Sequence, residues 1–188
     1  MSTDVTRDFA FGLPKAELHL HLEGTLEPDL KLALARKNGV DIGQSTVEEV
    51  QATYRFNDLT SFLAVYYPAM DVLQDEDDFY ALAAAYFQRA RANGVVRAEC
   101  FFDPQAHTTR GIEIDTVIRG YHRAVVEARE TGLSADLILC FLRDMSAESA
   151  LETLQAALPY KHMFIGVGLD SDERDNPPTK FARVFQLA

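Results

Sequence analysis

The stretch Ala16-Glu17-Leu18-His19-Leu20-His21-Leu22-Glu23-Gly24 alternates polar and apolar residues and ends on two histidines, a glutamate and a glycine. In an extended strand, residues two apart point to one face. His19 and His21 therefore project together, with Leu18, Leu20 and Leu22 on the opposite face. Two imidazoles leaving one strand side by side can chelate a metal ion at small entropic cost, because the backbone already holds them. Such a pair suits a catalytic zinc, which takes His and carboxylate ligands and keeps one position for water.

Three further apolar runs read as strands beside residues 16–22. They cover 95–102, 135–142 and 163–169, and most are nearly continuous in apolar residues, as strands buried on both faces are. Helical patterns lie between them at 28–38, 59–73, 77–92, 112–130 and 146–158, and a last one opens at Pro177-Pro178. Pro28 suits a helix first turn and Gly39 a helix stop. Strands alternating with helices imply a parallel sheet with right-handed crossovers.

Polar residues cluster just beyond each strand: His21 and Glu23, then Asp103, Gln105 and His107, then Arg143 and Asp144, then Asp170, Ser171 and Asp172. Strand C-termini form the functional face of (β/α) barrels and open α/β sheets. Four βα units make half of an eight-stranded barrel, which usually needs about 250 residues. The expected fold is α/β, the first half of a (β/α)8 barrel. Residues 1–188 are expected to form the N-terminal part of a single domain whose C-terminal half lies elsewhere.

The 188 residues carry a net charge of −11, with 47% apolar and 25% charged residues. The acidic balance argues against nucleic-acid binding, which needs a basic footprint, and against anionic lipid. No apolar run reaches the length of a membrane span. The first ten residues include Asp4, Arg7 and Asp8 and no apolar leader core, so the expected compartment is the cytoplasm. Cys100 and Cys140 sit inside apolar strands and read as buried free thiols.

Several polar residues admit plain readings. Asp103-Pro104 is an ordinary turn initiator, and Asp103 is expected to be structural. His107 reads either way. The acidic run Asp75 to Asp78 reads as a helix N-terminus with favourable dipole charges. Gly166 and Gly168 allow a ligand close to the backbone or relieve crowding in the wall. Asp170 and Ser171, which follow them, are candidate substrate-binding residues.

The run Leu13-Pro14-Lys15-Ala16-Glu17-Leu18-His19-Leu20-His21-Leu22-Glu23-Gly24-Thr25-Leu26 resembles the N-terminal signature of the adenosine/adenine deaminase family of the amidohydrolase superfamily. Phe101-Phe102-Asp103-Pro104-Gln105-Ala106-His107-Thr108 also matches, as does Gly168-Leu169-Asp170-Ser171 followed by Asn176-Pro177-Pro178. These segments look more like the adenine deaminase branch. The resemblance covers nearly the whole chain.

The resemblance implies a (β/α)8 barrel with one Zn2+, and makes His19 and His21 its first two metal ligands. It places Glu23 at the rim of the substrate pocket. A third histidine after a fifth strand, an aspartate after an eighth, and a general acid/base glutamate in a His-Ala-Gly-Glu run complete that pattern, and none occurs in this sequence. The implied chemistry is hydrolytic deamination at a purine C6, here adenine to hypoxanthine and ammonia in purine salvage. The Cys-ligated deaminase signature is absent.

On this reading the isolated chain is inactive. Its substrate is a small purine, and its open sheet edges should self-associate or pair with the missing half of the barrel. Three alternatives stay open: an adenosine deaminase acting on the nucleoside, a non-catalytic purine-binding or regulatory fragment, and a related amidohydrolase acting on another amine or a modified purine.

Overall fold

A computed structural model describes residues 2–188, with side chains from residue 6 onward. The elements run α1 (Ser2–Gly12), β1 (Lys15–His21), α2 (Pro28–Asn38), α3 (Val47–Ala52), α4 (Leu59–Ala69), α5 (Glu76–Ala92), β2 (Val95–Phe102), α6 (Pro104–Thr108), α7 (Ile114–Glu130), β3 (Ser134–Leu142), α8 (Ala147–Ala157), β4 (Gly166–Asp170) and α9 (Ala182–Leu187). The four strands are parallel and lie in chain order, β1-β2-β3-β4. With helices between them they form a half-barrel.

The strand faces divide cleanly in β2. Ala98, Cys100 and Phe102 are fully buried against the helices, while Arg97, Glu99 and Phe101 are half-exposed on the inner face. In β3 the buried set begins Ala135, Leu137, Leu139. The helical layer meets these with Phe79, Leu82 and Phe87 of α5 and Val117, Ile118, Tyr121 and Val125 of α7. Each such side chain contributes about 1.5–3 kcal/mol when fully buried. Gly120 lets α7 lie against the start of α5: a Cβ there would stand 2.6 Å from both the Glu76 carbonyl oxygen and Phe79 Cβ.

β1 does not keep the strict alternation its sequence suggests. Glu17 pairs with Ala98 and Leu20 with Cys100, so β1 spends three steps where β2 spends two. This is a bulge, one extra residue that resets the phase of the strand. Glu17 accordingly reaches the helical layer, where its Oε2 accepts from the Tyr86 hydroxyl at 2.7 Å. Leu18, expected on the core face with Leu20 and Leu22, is 54% exposed instead.

Element ends differ from the sequence expectation for identifiable reasons. α1 was not anticipated because its described residues pack no face into the core. Lys15 Nζ caps its end by donating to the Phe11 and Leu13 carbonyls at 3.4 and 2.9 Å. The pattern over 59–73 resolves into α4, with Pro68 in its last turn, and a 3-10 turn at Met70–Val72. β4 starts late because Leu158–Met163 winds into a 3-10 helix.

The acidic run before α5 does more than complement a dipole. Asp75 and Asp78 form a reciprocal capping box. Asp78 is also fully buried and accepts from Asn38 Nδ2 at 2.7 Å and Lys37 Nζ at 2.7 Å. It thereby latches the end of α2 to the start of α5.

A buried polar network fixes the turn after β1. Glu23, 3% exposed in a 3-10 turn at Leu22–Thr25, lies beneath α6 and α7. Its Oε1 accepts from the Asp103 backbone N–H at 3.1 Å and the Tyr121 hydroxyl at 3.1 Å, and contacts His107 Nε2 at 3.2 Å. Arg110 Nη2 lies 2.9 Å from His107 Nδ1 and also donates to the Leu73 carbonyl. Arginine can only donate, so Nδ1 is the acceptor and the proton sits on Nε2, facing Glu23.

Two predictions follow from this packing, both for the full-length protein that carries these residues. Gly120→Ala should destabilise it by about 1–3 kcal/mol through overpacking, read as a lowered urea midpoint. Burial also holds the His107 imidazole below its usual range. The unfolded chain takes up a proton on this residue below about pH 6.5 while the folded state resists, so the His107 contribution is present above that pH and lost as pH falls. Urea midpoints should therefore drop more steeply from pH 7 to pH 5 in wild type than in His107→Gln. Parallel slopes would count against a neutral, clamped histidine.

Candidate metal and substrate site

The site lies at the C-terminal ends of the strands. His21 closes β1, Asp103 follows Phe102 at the end of β2, and Asp170 closes β4. His21 is the partner of Phe101 and lies level with Gly166 across the sheet, and Asp170, the partner of Leu142, stands four residues further along β4. His19 and His21 come out on the same side, their ring centroids 5.6 Å apart. Phe101 lies under both, 4.8 Å from the His19 ring and 5.3 Å from that of His21, which it stacks at 22°.

His21 is held by carboxylates. Its Nδ1 lies 3.1 Å from Asp170 Oδ2, a hydrogen bond, and 3.8 Å from Asp103 Oδ1, which is too long for one. Burial works against the charged imidazole, but Asp103 and Asp170 outweigh it and raise its pKa to about 10. Asp103 is 1% exposed; burial, reinforced by the nearby Glu23 charge, pushes its carboxyl well above the usual range.

The side chain of Asp103 makes no capping hydrogen bond to α6, although Pro104 opens that helix. The structural role expected for Asp103 is thus carried by its backbone, while its carboxylate faces His21. His107 resolves as a partner of Glu23 rather than a wall of the cavity.

Five groups fall together around one cavity of about 330 Å3: His19, His21, Asp103, Asp170 and Ser171 line it, with Phe62, Tyr66 and Tyr67 of α4 opposite. Glu23 lines a second cavity, of about 300 Å3, which shares Gly24, Phe62 and Tyr66 with the first. Glu23 Oε2, Asp103 Oδ1, Asp170 Oδ1 and Ser171 Oγ are buried without a hydrogen-bond partner among the described residues. Ser171 also has φ 74°, in the left-handed region that a residue with a Cβ rarely adopts. Unpartnered buried polar groups cost about 1–3 kcal/mol each, so four at the C-terminal ends of three strands mark a place built for something else to bind.

A metal ion fits this donor set. Imidazole nitrogens are zinc ligands, and the two rings stand side by side on the wall of this cavity. The hydrogen bond from His21 Nδ1 to Asp170 leaves Nε2 for that ion, the usual arrangement in which a carboxylate orients a ligating histidine. His21, Asp103, Cys140 and Asp170 also offer ligand atoms within 4.8 Å of one another. Cys140 is buried and free, as Cys100 is. Burial, aided by the Asp170 and Asp103 charges, pushes its thiol far up, which disfavours a thiolate ligand.

Sequence reasoning named four of these positions, His19, His21, Asp170 and Ser171, and it also named Glu23. It missed Tyr121, Phe101 and the α4 aromatics, which have no local motif.

Comparisons with known proteins bear on the family and the fold. Residues 14–188 match the family model described as adenosine deaminase. An adenine deaminase from Hahella chejuensis is 55% identical over 183 residues, covering 97% of this chain and 55% of that protein. The crystal structure of an adenine deaminase from Arthrobacter aurescens superposes with a TM-score of 0.90 at 49% identity, over 93% of this chain and 54% of that one. An amidohydrolase from Burkholderia ambifaria, solved with bound Zn, gives a TM-score of 0.88 at 28% identity, over 100% and 52%. The chain spans about half the length of the curated relatives it matches. It belongs to the adenosine deaminase family.

Proposed function

We propose that the protein carrying these residues is a zinc-dependent adenine deaminase, converting adenine to hypoxanthine and ammonia. The observation that carries this reading is the pair of imidazoles beside a cavity whose wall holds buried acceptors without partners. Relatives named adenine deaminase, at 55% and 49% identity, support adenine as the substrate. The bound Zn of the Burkholderia amidohydrolase supports zinc. His19 and His21 would hold the metal, and when bound it supplies acidified water near neutral pH.

The chain's own residues orient and bind. Asp170 fixes the ring plane and proton position of His21 through Nδ1. Its free Oδ1, the Ser171 hydroxyl and Glu23 Oε2 are acceptors or donors for polar edges of the purine. The α4 aromatics Phe62, Tyr66 and Tyr67 form an apolar wall against a flat base and exclude water. The remaining metal ligands and the general acid/base glutamate belong to a part of the barrel outside residues 1–188. Strands from that part would cover the open edges at β1 and β4, and the isolated chain would otherwise self-associate. No helix among the described residues is long and apolar enough to cross a membrane, and a net charge of −11 does not suit nucleic acid; the cytoplasm and purine salvage are the setting proposed with this reaction.

The full-length protein should release ammonia from adenine far faster than from adenosine. His21→Gln should bring that rate to background and lower the zinc content measured by elemental analysis. Purified residues 1–188 should show no turnover. Adenosine as the better substrate would replace the proposed one, and turnover by the 188 residues alone would sink the assignment of acid/base and ligands to another part of the barrel.

A further inference from the structure

We infer that Phe101 is a positioning residue that sets the ring planes of both metal-ligating histidines, and that Gly168 leaves room for it and for Cys140. This inference rests on the reading of His19 and His21 as ligands.

The two histidines are restrained differently. His21 has the Asp170 carboxylate on Nδ1. His19 is exposed and has no hydrogen bond among the described residues; its ring packs against the His21 and Phe101 rings. A ligating histidine nearly always has its second nitrogen fixed by a hydrogen bond, which sets its orientation. The χ2 torsion of an imidazole is a broad well, and a flat ring packed against it narrows that well. Phe101 supplies that packing.

Register explains how one phenyl ring reaches both imidazoles. Phe101 is the β2 partner of His21 and faces inward, because the alternating residues Cys100 and Phe102 are buried outward. Adjacent strands lie about 4.8 Å apart, so its ring stands directly beside His21. The bulge between Glu17 and Leu20 leaves His19 on that inner side as well. A flat ring can contact two imidazoles at 41° and 22° without filling the volume where the ion and the substrate sit.

On its other side Phe101 meets the backbone of β4. A Cβ on Gly168 would lie 3.2 Å from both Phe101 Cδ1 and Cε1, and 2.7 Å from Cys140 Sγ. The second distance is shorter than real Cβ contacts, so an alanine there must displace its neighbours. Gly168 has no positive φ to require a glycine; the requirement is space. Cys140, the β3 partner of Gly168, fills the gap between the strands as a compact apolar group.

The test is metal affinity in the full-length protein, measured by chelator competition with zinc and by the visible spectrum of the cobalt-substituted form. Phe101→Leu keeps apolar volume but loses the flat ring. It should weaken zinc binding by about 10-fold or more, in the range seen when supports of a ligating histidine are removed, and should alter the cobalt spectrum. Phe101→Tyr keeps the ring and should restore wild-type affinity and spectrum. Gly168→Ala should reproduce the Leu phenotype while the thermal midpoint of the metal-free protein stays close to that of Phe101→Leu.

Wild-type affinity and spectrum in Phe101→Leu, with metal lost in His19→Gln and His21→Gln, would overturn the inference and leave the metal site standing. Zinc retained in both histidine variants would instead overturn the reading beneath it. A spectrum unchanged in Gly168→Ala would remove the role given to the glycine.

Discussion

The register of the parallel strands is the constraint on which this site depends. Pairing runs His21–Phe101–Ile138–Gly166 across the sheet and sets Asp170 beside Leu142, four residues further along. Tilted, staggered strands of a barrel turn that offset into proximity, and the Asp170 carboxylate stands 3.1 Å from the His21 ring. The hydrophobic layer of β2, β3, α5 and α7 holds that register, since a one-residue slip would turn Phe102 and Leu139 out of the core and their polar neighbours into it. Core packing and site geometry are one specification expressed on two faces of the same strands.

Acid groups accumulate where burial is expensive. Glu23 and Asp103 are almost fully buried, and Asp170 is mostly so. Glu23 is stabilised by three contacts gathered on one oxygen, which leaves its other oxygen bare. Asp103 and Asp170 face a single imidazole and raise its pKa, while burial and the Glu23 charge push Asp103 up. Such concentrations of perturbed groups are characteristic of functional sites, because a cation or substrate relieves them on binding. The left-handed Ser171 belongs to the same pattern of locally unfavourable choices held in place by a well-packed frame.

Much of this architecture was legible in the chain. β2 runs over the residues its continuous apolar pattern indicates, and the barrel half follows from the alternation of strands and helices. His19 and His21 were visible because their motif is local. Other parts were hidden for physical reasons. α1 buries none of its described residues and α3 buries only Val50, so neither prints a periodic pattern. Tyr121 is 98 residues from Glu23 and His107 is 84, so only the tertiary fold reveals that they share an oxygen. Asp103 was masked by the proline after it: the backbone of the pair does make the turn, which drew notice away from a carboxylate pointing elsewhere.

The bulge in β1 has a consequence for descent as well as for shape. Glu17 and Leu20 stand three positions apart in β1 yet oppose Ala98 and Cys100, two apart in β2, so the surplus step is absorbed between them while His19 and His21 still look into the cup. Leu18 is left without a layer to pack against and is 54% exposed. Lineages of this barrel should therefore vary more freely at position 18 than at 17, 19 or 21.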